Sequence, residues 1–176
     1  MPLFRKWSWL LVFFLLPSLW KGPGLRAQDA DYKAYTLFLY NFMKYIEWPN
    51  PEGDFVIGVV GESPIKKELV TLSETKKAKG RKIVVKVIAT PEEALACSMI
   101  FIPSAKTSML KPIIEKTKNK SILIVGEREG LAKKGAAISF VIDDDDALKF
   151  DLNKAVMESK SLKAANLLIE LAILVG

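Results

Sequence analysis

The segment FVIGVVGESP, residues 55–64, carries the pattern that decides the fold of this chain. Its first six residues, Phe55 to Val60, include no polar side chain, and Gly61 ends the run. Ser63 is a favourable helix-capping residue, and Pro64 suits the first position of a helix. A continuous apolar strand that leads straight into a helix is typical of a parallel sheet covered on both faces.

The same alternation of apolar strands and helices continues along the chain. Further strands are predicted over residues 83–88, 98–102, 122–125 and 137–142. Helices are predicted over residues 64–77, 91–96, 106–118 and 127–134. The lysine inside the second strand, Lys86, indicates that this strand lies near an edge of the sheet.

The end of the chain departs from this alternation. Asp143 to Asp146 is too short for a crossover, so we expect the next strand, residues 148–152, to pair antiparallel at the edge. A terminal helix over residues 155–174, broken near 159–161, closes the domain. The sequence thus predicts a single three-layer α/β domain, with a mostly parallel sheet of about five strands plus an antiparallel edge strand, and helices on both faces.

Residues 1–27 have the composition of a cleavable signal peptide, followed by one domain over residues 28–176. Arg5 and Lys6 precede an unbroken apolar run from Leu10 to Leu16, which is too short for a transmembrane span. Ala27 is the predicted last residue before cleavage. The predicted location is therefore the periplasm, without membrane insertion after cleavage. An uncleaved membrane anchor is the alternative.

Composition excludes several classes of function. The chain has no histidine, which removes Ser-His-Asp and Cys-His catalysis and histidine metal ligands. Its one cysteine, Cys97, cannot form an internal disulfide and is predicted to be buried, although a thiol that pairs with a partner chain is the alternative. Residues 28–176 hold 22 basic and 20 acidic residues, a net charge of +2 that gives no case for nucleic acid.

Residues 33–49, KAYTLFLYNFMKYIEWP, form an aromatic-rich amphipathic helix and the turn after it. The predicted polar face of this helix covers about 80° of arc at 100° per residue, and it consists of Lys33, Thr36, Tyr40, Lys44 and Glu47. The remaining apolar face is wider than packing on one sheet requires. Either the C-terminal helix covers the excess, or part of this face receives another protein.

This segment resembles the hallmark of the YfiR-like family of exported bacterial proteins. The matching residues are Lys33, Ala34, Tyr40, Asn41, Phe42, Lys44, Glu47, Trp48 and Pro49. Later matches, in the same order as in the family, are Gly61, Gly80, Arg81, Cys97, residues 122–126, Gly135, Ile138, Phe140, residues 150–153 and residues 167–172. The resemblance spans nearly all of the predicted domain.

The resemblance implies a non-enzymatic regulator that binds an inner-membrane signalling protein. In such systems a periplasmic repressor holds a diguanylate cyclase inactive and couples the state of the envelope to cyclic-di-GMP and biofilm formation. A sensor kinase is another partner of this kind, and a homodimer is a further assembly that we consider. The hallmark residues Tyr40, Asn41, Phe42, Lys44, Glu47, Trp48 and Pro49 are the predicted partner-binding site. Because this chain has only Cys97, control by an internal disulfide is excluded.

Two other readings remain beside the regulator. In open α/β sheets ligands bind at the carboxyl ends of the strands, so Ser63, Ser104 and Arg128 are candidates to hold an anionic or zwitterionic metabolite. A structural envelope protein is the third reading. No cofactor or metal is predicted, because the chain lacks a G-x-G-x-x-G loop and its Asp143 to Asp146 run lacks the spacing of a calcium loop.

Overall fold

The computed structural model describes residues 24–176, with side chains from Tyr32 onward. The predicted signal peptide lies outside the described residues except for residues 24–27, which begin the first helix. None of the described helices combines the length and the apolar character needed to cross a membrane.

Within this range the chain forms five α-helices and ten strands. The α-helices are α1 (Gly24–Tyr45), α2 (Ile65–Thr75), α3 (Leu110–Lys116), α4 (Lys154–Ser159) and α5 (Asn166–Leu171). The strands are β1 (Ile46–Glu47), β2 (Phe55–Val60), β3 (Lys77–Ala78), β4 (Arg81–Ile88), β5 (Met99–Ile102), β6 (Leu123–Gly126), β7 (Ile138–Ile142), β8 (Leu148–Asn153), β9 (Lys163–Ala164) and β10 (Ile173–Val175).

Three predicted helices are shorter and tighter than expected. Glu93–Ala96 and Ala132–Lys134 are 3-10 turns, and a 3-10 segment, Ser104–Met109, precedes α3. Ser63 does not cap α2, because the side chain of the residue before that helix makes no capping hydrogen bond and the Ser63 hydroxyl has no hydrogen-bond partner. The capping prediction was therefore wrong.

Eight strands form one mixed sheet, in the order β10-β8-β7-β6-β5-β2-β4-β3. The central pairs β4–β2, β2–β5, β5–β6 and β6–β7 are parallel, and β7–β8 is antiparallel as predicted. The sheet exceeds the predicted five strands plus one because β3 and β10 each add a short strand at an end. The edge position predicted for β8 was wrong, since β10 pairs with it in parallel.

The C-terminal region is not one helix. The predicted break is present at a turn where Ser161 has φ of 55°, and it separates α4 from α5. Between them β9 pairs antiparallel with β1, directly after α1. The chain leaves α5 as strand β10, whose β-branched Ile173 and Val175 suit an extended backbone.

Buried side chains lie on both faces of the sheet, because each central strand alternates between two clusters. The larger cluster holds Phe101 of β5 and Val125 of β6 together with residues of α1, α2, α4 and α5. The smaller cluster holds their neighbours Ile100 and Ile124 with α3 and the 3-10 turns. Helical segments therefore cover both faces, as the apolar strands predicted.

The strand order contains one reversal that matters for function. Strand β4 lies on one side of β2, and β5 lies on the other side, although β4 precedes β5 in the chain. Ligands of open α/β sheets bind at such a switch point, outside the carboxyl ends of the strands. We call the side of the sheet where β2, β4 and β5 finish the carboxyl edge, and the side where these strands begin the amino edge. Neither term refers to the outermost strands.

Candidate functional site

The hallmark segment runs along the sheet and ends at the amino edge. Helix α1 stops at Tyr45, and Glu47 pairs with Lys163 of β9. Lys44 lies over two rings, with its Nζ 5.1 Å from the centroid of Tyr45 and 5.9 Å from that of Tyr40. Within the predicted partner-binding site, Tyr40 and Trp48 are partly buried, whereas Asn41, Lys44, Glu47 and Pro49 are exposed.

Phe42 differs from the rest of the predicted partner-binding site because it is fully buried. Its ring centroid lies 5.1 Å from that of Phe150 and 6.0 Å from that of Phe140, and Phe38 contacts the same rings. Phe42 thus joins α1 to β7 and β8 in the core. It presents no surface to a partner, so we leave it out of the contact surface described below.

The exposed face of α1 is rotated relative to the predicted one. Thr36, predicted to be polar and exposed, is only 5% exposed, whereas Leu37 is 60% exposed. Lys33, Asn41 and Lys44 share the exposed face with Leu37. The large aromatic side chains set this rotation, because burying them contributes more free energy than exposing one threonine hydroxyl.

Trp48 has a structural role that the sequence did not reveal. Its indole Nε1 donates a hydrogen bond to the backbone carbonyl of Ser98, 3.1 Å away, just before β5. Its ring meets that of Phe55 edge to face, with centroids 5.0 Å apart and planes at 88°. These two contacts fix the turn after α1 against the start of two parallel strands.

At the carboxyl edge, the three predicted ligand-binding residues lie in three different loops, which follow β2, β5 and β6. The Ser104 backbone N–H donates to Oε2 of Glu127 over 2.6 Å, which links the loops after β5 and β6. Ser63 lies in the loop after β2, and its buried hydroxyl has no hydrogen-bond partner. Arg128 is exposed, and its side chain makes no hydrogen bond or ion pair with the described residues.

Two residues that sequence reasoning overlooked, Glu127 and Tyr32, lie beside Ser104 and Ser63 at this edge. Burial raises the pKa of the Tyr32 hydroxyl, the nearby Glu127 carboxylate raises it further, and the adjacent Ser63 hydroxyl partly opposes them. Glu127 places negative charge where the sequence predicted an anion site. Its position directly after an apolar strand was the available signal, because such positions meet at the carboxyl edge.

Cys97 is buried, as predicted, and it is a free thiol. Burial raises the pKa of this thiol to about 11, and the nearby Lys86 only partly opposes that effect. Its Sγ lies close to the backbone of Gly58, where a side chain would collide with it at 2.7 Å. The raised pKa leaves very little reactive thiolate at neutral pH.

A buried polar network crosses β7 and β8. The Ser139 hydroxyl, fully buried, donates to Asp151 Oδ2 and accepts from the Ala132 backbone N–H, each over 3.1 Å. Asn153 donates to the Ala132 carbonyl and caps α4 by accepting from Val156. Every partner in this network is internal, so it holds the turn at Ala132 and the start of α4 in place.

The Asp143 to Asp146 run forms the turn between β7 and β8. Oδ1 of Asp143 accepts from the backbone N–H groups of Asp145 and Ala147, and its Oδ2 lies 2.6 Å from Lys149 Nζ. The Lys149 ammonium, together with these backbone donors, lowers the pKa of Asp143. The Asp143 carboxylate is therefore occupied by contacts within the turn and with Lys149.

The fold and these sites define a class of protein: one α/β domain, built on a mostly parallel sheet that carries an aromatic-rich helix across one face. A model of the YfiR/HmsC-like family matches residues 32–173, and the chain belongs to this family. That match confirms the resemblance seen in the hallmark segment. No curated protein matches the sequence.

Two solved structures share the fold at low identity. One is the ABC domain from Streptococcus pneumoniae in complex with L-Trp, with a TM-score of 0.55 and 12% identity, over 78% of this chain and 59% of that chain. The other is a conserved domain protein from Vibrio cholerae, with the same TM-score and identity, over 81% of this chain and 59% of that one. This chain therefore spans about three fifths of each, and the likeness concerns the fold alone.

Proposed function

We propose that this protein is a non-enzymatic periplasmic regulator that binds and represses an inner-membrane signalling protein, such as a diguanylate cyclase or a sensor kinase. Membership of the YfiR/HmsC-like family supports this class of function. The absence of histidine from the sequence removes the commonest general base and so disfavours catalysis. Export by a cleavable signal peptide, residues 1–27, belongs to the same proposal.

One observation carries the proposal: part of the hallmark does not serve the core. Asn41, Lys44 and Glu47 are exposed, and none of them has an ion pair within 4 Å among the described residues. Buried hallmark residues such as Phe42 are explained by packing, but the exposed side chains of Asn41 and Glu47 are not, and the Lys44 ammonium contacts only the Tyr40 and Tyr45 rings. We therefore define the contact surface as Tyr40, Asn41, Lys44, Glu47, Trp48 and Pro49.

The surroundings of this surface also suit protein binding. Leu37 lies on the same exposed face of α1, one helical turn before Asn41. Helix α5 contacts α1 and carries Leu167 and Leu171, which are 50% and 64% exposed. Apolar side chains exposed beside polar ones are typical of interaction sites on soluble proteins.

Site-specific photo-crosslinking tests the proposal. A photoreactive phenylalanine analogue replaces Asn41 in one variant and Lys118, exposed beyond α3, in the control. After irradiation of whole cells, we expect the Asn41 variant alone to link to an inner-membrane protein with a periplasmic segment and a cytoplasmic output domain. Equal labelling from both positions, or none from Asn41, would contradict the proposed surface.

A genetic experiment tests repression with two matched charge reversals, one at Lys44 and one at Lys118. Deletion of the gene should raise the output of the partner, measured as cyclic-di-GMP for a cyclase. Lys118→Glu should restore repression, whereas Lys44→Glu should fail, because an opposed charge at an interface weakens binding by roughly tenfold or more. Unchanged output after deletion would refute the regulatory role.

A second candidate function is a ligand-binding module at the carboxyl edge. The specific observation is the buried Ser63 hydroxyl at the switch point, which has no partner in good hydrogen-bond geometry although the Tyr32 hydroxyl lies close enough to interact with it. Buried polar atoms without partners are rare, and a bound water or ion is one of the explanations for them; a ligand that satisfies the Ser63 hydroxyl belongs to this second candidate. With Glu127 present, we expect such a ligand to offer a hydrogen-bond donor or an amine rather than only an anion.

A thermal screen distinguishes this candidate from the regulator. Nucleotides, amino acids and peptidoglycan fragments are each added to the purified protein. A ligand at 100 times its Kd stabilises the folded state by about 2.7 kcal/mol, which raises Tm by several degrees. A shift that Glu127→Gln abolishes and Glu129→Gln retains would favour the module; no shift with any compound would leave the regulator as the better account.

A further inference from the structure

A cavity of about 360 Å³ opens at the amino edge, between the turn after α1 and the β3–β4 hairpin. Its apolar walls are Met43, Trp48, Phe55 and Ala78. The Trp48 and Phe55 rings meet edge to face there, and the Trp48 hydrogen bond to Ser98 holds the indole in position. Trp48 is only partly buried and therefore offers a flat aromatic surface in a fixed orientation, whereas Phe55 is 2% exposed and holds the indole in place by packing against it.

Positive charge without a carboxylate partner lies at the same cavity. Arg81 holds its guanidinium 5.3 Å from the Phe55 centroid by donating to the backbone carbonyls of Glu52, Gly53 and Asp54. These neutral carbonyls fix the guanidinium but leave its charge uncompensated. Lys79, also at the cavity, has no carboxylate within 4 Å among the described residues.

The hairpin geometry keeps Lys79 at the cavity. Ala78 pairs with Arg81, so Lys79 and Gly80 form a two-residue turn. Both have positive φ, 50° and 84°, as this kind of tight turn requires. Because a two-residue turn has little freedom, Lys79 and Arg81 stay on the same side of the apolar wall.

The lining of the cavity carries a net positive charge, although Glu52 and Asp54 lie close by, where their backbone carbonyls accept from Arg81. Glu47 is the only carboxylate residue of the cavity lining, against Lys79 and Arg81. A second cavity of about 310 Å³ shares Glu47 and Lys79, and it adds Lys44 and Lys163. Fields from several like charges in a concave surface raise the local concentration of ions of opposite sign.

From this combination we propose that the amino-edge cavity binds a small organic anion with a flat apolar body, such as an aromatic carboxylate. The ring would pack against the partly buried Trp48, and the carboxylate would meet Lys79 and Arg81. The volume lies at the lower end of the range for small-molecule sites. This inference rests on the cavity alone and does not require the partner proposed above.

The test uses 2-naphthoate as the probe and 2-naphthalenemethanol, which has the same ring and no charge, as its control. Residues 28–176 contain a single tryptophan, Trp48, so the exported protein has one indole N–H resonance in a ¹H–¹⁵N spectrum. We expect saturable shifts of that resonance and of the amides of residues 79–81 with naphthoate. Binding of the neutral alcohol should be at least about tenfold weaker.

A pair of charge reversals tests the position of the site. Lys79→Glu should weaken naphthoate binding roughly tenfold, whereas Lys82→Glu, an exposed control outside the cavity, should change it less than about twofold. Both positions are exposed, so both variants should fold. Shifts absent from Trp48, equal binding of acid and alcohol, or equal effects of the two substitutions would each overturn the proposal.

Discussion

The indole N–H of Trp48 donates to the backbone carbonyl of Ser98 over 3.1 Å, and the same carbonyl accepts the backbone N–H of Leu123 in the neighbouring strand. The turn after α1 is thus connected to the starts of β5 and β6. Because Trp48 also packs on Phe55, it contacts the beginning of β2. One side chain therefore orients the turn against three parallel strands.

Substitution of Trp48 should separate its two contributions to stability. Trp48→Phe keeps the ring but loses the hydrogen bond, and it should lower the free energy of unfolding by about 1 kcal/mol, since Leu123 still satisfies the Ser98 carbonyl. Trp48→Ala should lower it by about 2–3 kcal/mol, less than for a fully buried ring. Urea unfolding followed by circular dichroism measures both; equal losses would show that the ring contributes little.

Phe42 and Asn41 are adjacent in the sequence and should respond in opposite ways. Phe42→Ala removes a ring from the centre of the aromatic cluster and should cost about 3–5 kcal/mol. Asn41→Ala changes an exposed side chain and should alter stability by no more than about 0.5 kcal/mol. Thermal unfolding of both variants checks the burial assigned to α1, and a large loss for Asn41→Ala would contradict it.

The Cys97 thiol should react very slowly in the folded protein. With its pKa raised to about 11, it holds roughly a hundredfold less thiolate at pH 8 than an unfolded cysteine does. Modification by Ellman's reagent should accelerate at least a hundredfold in denaturant. A native rate close to the unfolded one would show that the thiol is accessible and ionised.

The same thiol contributes a defined pH dependence. The folded state favours the protonated thiol, so this contribution to stability is complete below the unfolded pKa of about 8.5. It is lost as the pH rises towards the folded value of about 11. The unfolding free energy of Cys97→Ala should therefore fall less steeply between pH 8.5 and 11 than that of the unchanged protein.

Lys160 should show a pH dependence of the opposite sign. It is 7% exposed, its Nζ donates to the Thr117 carbonyl over 2.9 Å, and burial lowers its pKa. The unfolded chain then binds more protons between the lowered value and about 10.4, so stability should rise with pH across that window. Lys160→Met should remove this rise; an identical slope in both proteins would refute it.

The strands at the centre of the sheet were predictable because they are long apolar runs. The two-residue strands were not predictable from the sequence. Residues 55–60 contain only apolar side chains or glycine, and they form β2 as expected. Strands β1, β3 and β9 have two residues each, and such segments become strands only through partners elsewhere in the chain. The same holds for strand β10, because the helical pattern before it extended the predicted helix over its first two residues, Ile173 and Leu174.

The candidate sites were predictable only where the place of a residue in its own strand, helix or loop was enough to locate it. The carboxyl-edge loops could be located because strand ends follow from strand assignments, but the Glu127 bond to Ser104 joins residues 23 apart in sequence. The rotation of α1 depended on Phe140 and Phe150, which no local pattern connects to Phe42. Contacts across the fold, rather than residue types, decided which hallmark residues remain exposed.

The aromatic cluster also has a consequence for the timing of folding. Its rings come from Phe38 and Phe42 near one end of the chain and from Phe140 and Phe150 near the other. Since a ribosome releases the N-terminal part first, α1 must wait for most of the polypeptide before its apolar face can be covered. Such non-local contacts slow folding, so the apolar face of α1 stays uncovered until the strands that carry Phe140 and Phe150 have been synthesised.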